Sequence, residues 1–274
     1  MRRRRTPLLR AVLAAGVLGT LLPPSPVADA QVAVTRSRWW DDVARVEGLI
    51  AGEHWKKALR ELEAVREELM WTSWREPDLG EVLAELAFQA AVARANLGED
   101  EEAIWEWHVA LNHERLRGRR ELAGRDLASF GRAGALLAAH PLRAAEEAPP
   151  GVELAELRPD RGFEPPAAPE GFAVEPLVNS GAAQERPAPV ILEALIDSEG
   201  RLQQPVLVSG WSHPVVLQWA LDNLRGAGPF HPARMAGEPV ASLWHLELGL
   251  DGGGPFGERR RRRGRQRQMP VPPP

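Results

Sequence analysis

The chain is 274 residues long, with ten Trp, no Tyr, no Cys and a formal net charge of −4. That length suffices for two modest hydrophobic cores, and the lack of cysteine excludes disulfides, zinc–thiolate centres and thiol nucleophiles. Pro and Gly, 25 of each, mark part of the length as connecting segment.

Arg2, Arg3, Arg4 and Arg5 precede an apolar run over residues 8–22 interrupted by Arg10, and Ala28-Asp29-Ala30 follows. Charged, apolar and small-residue segments in that order predict a secretory signal peptide over residues 1–30, cleaved after Ala30. The apolar run is shorter than the ~20 residues that cross a bilayer. A periplasmic location is therefore expected, with an uncleaved inner-membrane anchor facing the periplasm as the alternative. Residues 1–30 carry five Arg and one Asp, so the remaining chain would hold a net charge near −8.

Residues 38–140 carry the period of helices joined by short loops. Val43, Val46, Leu49 and Ile50 mark the first helix, and Trp55, Leu59, Leu62, Val65 and Leu69 the second. Leu79, Val82, Leu83, Leu86, Ala90, Ala93 and Leu97 mark the third, and Ala103, Ile104, Trp107, Ala110 and Leu111 the fourth. A fifth is expected over 121–139, ended by Pro141. Leu97-Gly98-Glu99-Asp100-Glu101-Glu102-Ala103, followed by Trp107 and Ala110, resembles the second helix of a tetratricopeptide unit. Gly52-Glu53-His54-Trp55-Lys56-Lys57-Ala58-Leu59 resembles a second such turn. Ala58 and Ala103 lie 45 residues apart, against the ~34 of that family, and an ordinary helical bundle is the alternative. The resemblance implies stacked helix pairs whose concave surface binds peptides or partner proteins.

Trp55 and Trp107 read as core. Trp71 and Trp74, near a helix end, are candidate helical-surface anchors for a partner or a carbohydrate, and packing in the core or a loop is the simpler reading. Residues 141–188 are rich in Pro, Ala and Glu and read as a semi-extended linker. Phe163, Phe172, Val174 and Leu177 could pin part of it to either side.

From residue 189 the period changes to two. Val190, Leu192, Ala194 and Ile196 alternate with Ile191, Glu193, Leu195 and Asp197, which predicts a strand. Asp197-Ser198-Glu199-Gly200 reads as a hairpin loop with Gly200 at positive φ, and a second strand returns over 201–208. Pro205 has no N–H, so that strand is expected at an edge or with a bulge. Ser212 or His213 caps a helix that begins at Pro214 and carries Leu217, Ala220, Leu221 and Leu224 on one face. A last strand is expected over 240–248.

The series Ile196-Asp197-Ser198-Glu199-Gly200-Arg201, Ser209-Gly210, the helix, Phe230-His231-Pro232-Ala233 and Gly237-Glu238-Pro239-Val240 resembles the C-terminal domain of TonB-family proteins. The resemblance covers residues 189–250, and Trp211 stands where a small or polar residue is usual. It implies a β-β-α-β domain whose last strand offers a free edge to a short peptide segment of an outer-membrane transporter, which adds a strand by main-chain hydrogen bonds. Val240, Ser242, Trp244, Leu246 and Leu248 are the residues of the matching edge.

Arg259, Arg260, Arg261, Arg262 and Arg263 dominate a basic, proline-ending tail over 251–274. It reads as a solvated disordered tail or, more sharply, as a contact to an anionic membrane surface. Nucleic acid is not expected as a partner of an exported protein. No nucleophile elbow, phosphate loop, dinucleotide fingerprint or zinc-protease helix is present, and no cofactor or metal is expected. The expectation is an α+β chain: a tetratricopeptide-like helical-repeat domain over 38–140, a linker, and a β-β-α-β domain over 189–250. It would act as an exported, non-enzymatic protein-interaction adaptor. A membrane-anchored energy transducer is the alternative, and a carbohydrate-active hydrolase a weaker one.

Overall fold

The computed structural model describes residues 26–72, 74–145, 147, 162–169, 172, 174, 175, 177, 179–185, 189–208, 213–225 and 227–248. The fold is mixed α+β. Four helices come first, α1 (Pro26–Ala51), α2 (Trp55–Thr72), α3 (Leu79–Leu97) and α4 (Asp100–Leu116). α3 is apolar almost all round and lies at the centre, touching α1, α2, α4 and the short helix α5 (Gly131–Ala138). It stops at Gly98, whose φ of 82° lets its N–H and that of Glu99 turn back onto the Ala95 and Arg94 carbonyls. The backbone helix α1 runs through Ala30. The apolar run at 8–22 lies outside the described residues, and no described helix is long and apolar enough to cross a membrane.

The fifth helix is shorter than its expected range of 121–139. Glu114, buried at the end of α4, accepts the N–H groups of Leu122 and Ala123, which holds the preceding loop as turns. The Asp126 carboxylate then takes the Ala128 N–H and starts a single 3-10 turn, Leu127–Phe130. α5 follows close beneath it. A Cβ at Gly134 would fall 1.7 Å from the Leu127 carbonyl oxygen, so only glycine permits that approach.

The remaining elements are β1 (Phe163–Glu164), α6 (Ser180–Glu185), β2 (Val190–Ile196), β3 (Leu202–Leu207), α7 (Pro214–Arg225), β4 (Ala233–Met235), β5 (Glu238–Val240) and β6 (Ser242–Leu248). They form two antiparallel three-stranded sheets, β3-β2-β6 and β1-β4-β5. In the β2–β3 turn the Asp197 carboxylate accepts the Glu199 and Arg201 N–H groups at 2.9 Å each. Gly200, at φ 80°, lies so close to Phe230 that a Cβ would meet its carbonyl oxygen at 2.0 Å. β3 carries the expected bulge, with Gln204 at φ 46° beside Pro205. The last expected strand, by contrast, is broken at Ala241. Ala236 and Gly237, at φ 51° and 88°, close a two-residue hairpin that commits Glu238–Val240 to β4, so β6 begins only at Ser242.

Part of the segment read as a linker is bonded to both halves. Phe163–Glu164 pairs with β4, and Ala167 and His231 exchange two main-chain bonds. Trp219 Nε1 donates to the Glu175 carbonyl at 2.7 Å, and Asn179 Nδ2 to the Met70 carbonyl at 2.6 Å. The buried side chains of the helices, of α7 and of the β3-β2-β6 sheet join in one hydrophobic cluster. α7 makes this possible because it is buried on nearly every side, facing the sheet with one flank and α3 and α4 with the other.

Candidate functional site

Strands at the margins of a sheet carry main-chain groups that need partners outside it. In the order β3-β2-β6 these strands are β3 and β6. At β3 a side chain supplies the partners. Asn112, fully buried on α4, donates from Nδ2 to the Pro205 carbonyl at 2.7 Å and accepts the Leu207 N–H on Oδ1 at 2.7 Å. Its amide stands where the peptide of a neighbouring strand would. Outside β6 no strand lies among the described residues.

The ladder determines which groups of β6 face outward. The Val208 N–H donates to the Ile191 carbonyl, so Ile191 and Glu193 turn their main-chain groups toward β3. Alternation turns those of Val190, Leu192, Ala194 and Ile196 toward β6. Their register partners are Leu248, Leu246, Trp244 and Ser242, whose N–H and C=O groups therefore lie inside the sheet. Leu243, His245 and Glu247 present theirs outward. This corrects the expected edge set: Ser242, Trp244, Leu246 and Leu248 hold β6 to β2, and Val240 belongs to β5, where it pairs with Ala233. The Leu207–Asn112 bond is an independent check on the alternation, since it requires Leu207 to face away from β2.

The two faces of β6 differ in chemistry. On one, Trp244 meets Phe230 edge-on at 5.1 Å between ring centroids, and Phe230 meets Phe172 at 6.1 Å, so an aromatic row ends at the strand. Leu246 and Leu248 beside it are buried. On the other face lie Leu243, His245 and Glu247. His245 Nε2 stands 2.9 Å from Oε2 of Glu193, a fully buried carboxylate on the central strand. The Arg143 guanidinium bonds the other oxygen of Glu193 and also its carbonyl, the latter at 3.1 Å. Glu247 is exposed and forms no salt bridge among the described residues.

The other candidates separate. Trp71 is 55% exposed at the end of α2, as a surface anchor requires. Trp74 is not an anchor: it is 6% exposed, stacks on His213 at 3.8 Å and donates its indole N–H to Glu185 at 2.8 Å. Arg259, Arg260, Arg261, Arg262 and Arg263 lie outside the described residues. Trp107 is core, and Trp55 is partly buried against it.

Between α4 and α7 runs a buried polar cluster. Glu106 takes Arg66 at 2.8 Å and Arg225 at 2.8 Å. Burial pushes the Glu106 carboxyl up, and the Arg66, Arg225 and Arg94 guanidiniums push it further down, leaving it below its ordinary value. Asp222 goes the other way, raised chiefly by burial. His113 meets Gln218 at 3.0 Å, and Gln218 in turn donates to Asp222 at 2.9 Å. Burial lowers both His113 and His108 to about 4. A cleft of about 590 Å³ opens beside this cluster, between the start of α4, the β2–β3 turn and the end of α7. The arginines on its wall are already bonded, Arg225 to Glu106 and Glu102 and Arg201 to Asp197. Among the described residues no group of three or more His, Asp or Glu side chains could hold a metal ion.

No protein-family model matches the chain, and neither a curated protein nor a solved structure matches it.

Proposed function

We propose that the chain is an exported, non-enzymatic interaction protein that captures an extended peptide segment of a partner by adding it as a strand to β6. The observation that carries this reading is the β6 margin of the β3-β2-β6 sheet, which no described strand covers, with the main-chain groups of Leu243, His245 and Glu247 turned outward while Asn112 bonds the β3 margin. From Val190 to Leu248 two strands and a helix are followed by the β4–β5 hairpin and by β6, which returns beside β2; this supports the likeness to the TonB-family C-terminal domain, and the paired helices α1 to α4 support a tetratricopeptide-like platform behind it. An energy transducer would need residues 141–188 as free reach across the periplasm. The bonds that tie Phe163, Ala167, Glu175 and Asn179 to both halves favour the adaptor instead.

The test uses two prolines. Glu247→Pro removes an outward N–H and leaves the β2 ladder intact, whereas Trp244→Pro removes an inward one and weakens the sheet itself. Peptides selected from a display library for binding the wild-type chain are expected to lose the Glu247→Pro variant, with its melting temperature within a few degrees of wild type. The same peptides should slow hydrogen exchange at Leu243, His245 and Glu247. Binding that persists in a folded Glu247→Pro chain refutes strand addition at this edge.

A further inference from the structure

Resting on the strand-addition reading, the side chains that flank the open edge indicate which peptide it takes. The sheets are antiparallel throughout, and antiparallel pairing is the slightly stronger arrangement per residue. Main-chain groups of Trp244 point inward, so the incoming residue opposite Trp244 occupies a non-hydrogen-bonded site, where facing side chains come closest. An apolar residue there extends the row Phe172, Phe230, Trp244 by one more contact. The residue opposite Glu247 lies on the other face. Four groups bear on the charge of that face: Glu193, Arg143, His245 and Glu247. Glu193 is matched by Arg143 and meets His245 Nε2 at 2.9 Å, and Glu247 is exposed and forms no salt bridge among the described residues.

We infer that the edge of β6 selects an extended, antiparallel segment with a basic residue opposite Glu247 and an apolar residue three positions later, opposite Trp244. The spacing follows from the ladder: Glu247 and Trp244 are three apart and on opposite faces, and the incoming strand reads them in reverse. Position two of the segment, opposite Leu246, falls beside a side chain that is already buried and is therefore less demanding.

The experiment measures binding of the full chain to a Thr-rich host peptide carrying Lys and, three residues later, Leu. Replacing the Lys by Glu is expected to weaken binding about two- to fivefold, the span of a cross-strand charge pair against its repulsive counterpart. In Glu247→Lys the preference inverts, and in Glu247→Thr the Lys and Glu hosts bind alike. A host with the order reversed, Leu before Lys, binds more weakly. Equal binding of the Lys and Glu hosts, or no inversion in Glu247→Lys, overturns the inference. Tighter binding of the reversed host overturns the antiparallel assignment on which the spacing rests. If charge has no effect but Glu247→Pro still abolishes binding, strand addition stands and only the selectivity falls. If Glu247→Pro binds every host as wild type does, both fall together. Self-association of the chain that Glu247→Pro abolishes and that no host peptide competes with assigns the edge to a second copy, and overturns the peptide.

Discussion

Acidification should unfold this protein through two histidines that have no part in the proposed binding. His108 and His113 sit inside the contact between α4 and the rest of the core, and each is held to about 4, chiefly by burial. His108 donates to the His140 carbonyl at 3.2 Å and is repelled by His140 and Arg143, while His113 meets Gln218 and feels Arg66. In the unfolded chain both would titrate near 6.5. Because the folded values are depressed, the stability they contribute is complete above about pH 6.5 and is lost as pH falls toward about 4. Between pH 7.5 and pH 5 the loss is roughly 2 kcal/mol for each residue and roughly 4 for the pair, a large share of a typical folding free energy. Asp222 acts in the opposite sense: its raised value adds stability at low pH that disappears as pH rises through it, so it blunts the lower end of the loss. His213, lowered by partial burial, adds to the loss by a smaller amount. Urea unfolding followed by Trp fluorescence at pH 7.5, 6 and 5 measures this directly. The double variant His108→Gln, His113→Gln is less stable at pH 7.5 and yet flatter with pH, losing most of that dependence. Parallel profiles for wild type and double variant between pH 6.5 and 5 would refute the reasoning.

Asn112→Ala strips the partners from the Leu207 N–H and the Pro205 carbonyl; a loss of about 2–5 kcal/mol is expected in equilibrium denaturation, from two buried groups left unpaired. A cost below half a kcal/mol would mean that water or another group replaces the amide. Arg143→Met takes the guanidinium away from the buried Glu193 carboxylate and should cost about 3–5 kcal/mol, whereas the double change Arg143→Met, Glu193→Leu restores much of that loss. A double variant as unstable as the single one would show that Arg143 acts through packing and not charge.

Elements set by local signals were legible in the chain itself. α2, α3 and α4 follow from apolar spacing and the Gly98 stop, the β2–β3 turn from Asp197 and Gly200, and the bulge from Pro205. What could not be read depends on contacts between distant residues. The loop after α4 is set by the Glu114 carboxylate bonding two amides beyond it, which no period announces. Asn112 is separated by more than ninety residues from the strand it closes, and in its own helix it looks like any polar residue on a turn. β6 does lie at a sheet margin, yet the alternating set Ser242, Trp244, Leu246 and Leu248 turns its main-chain groups toward β2 and not outward. Side-chain alternation shows which face is buried, and the direction of the peptide groups requires register as well. One sequence signal could have helped: Pro205, lacking an N–H, belongs on the outward side of β3, and counting from it across the ladder leads to Leu243, His245 and Glu247.

Asn112 also limits how copies of the chain can assemble. A filament grows when one subunit's free strand meets a different free strand on the next, because unlike surfaces repeat without closing. Here the β3 side is occupied by a side chain fixed in a helix, and head-to-tail stacking of β3 on β6 has no place to begin. The β3-β2-β6 sheet can lengthen past β6 but not past the stretch of β3 that Asn112 bonds, so a strand added at β6 would not start a repeating stack of this sheet.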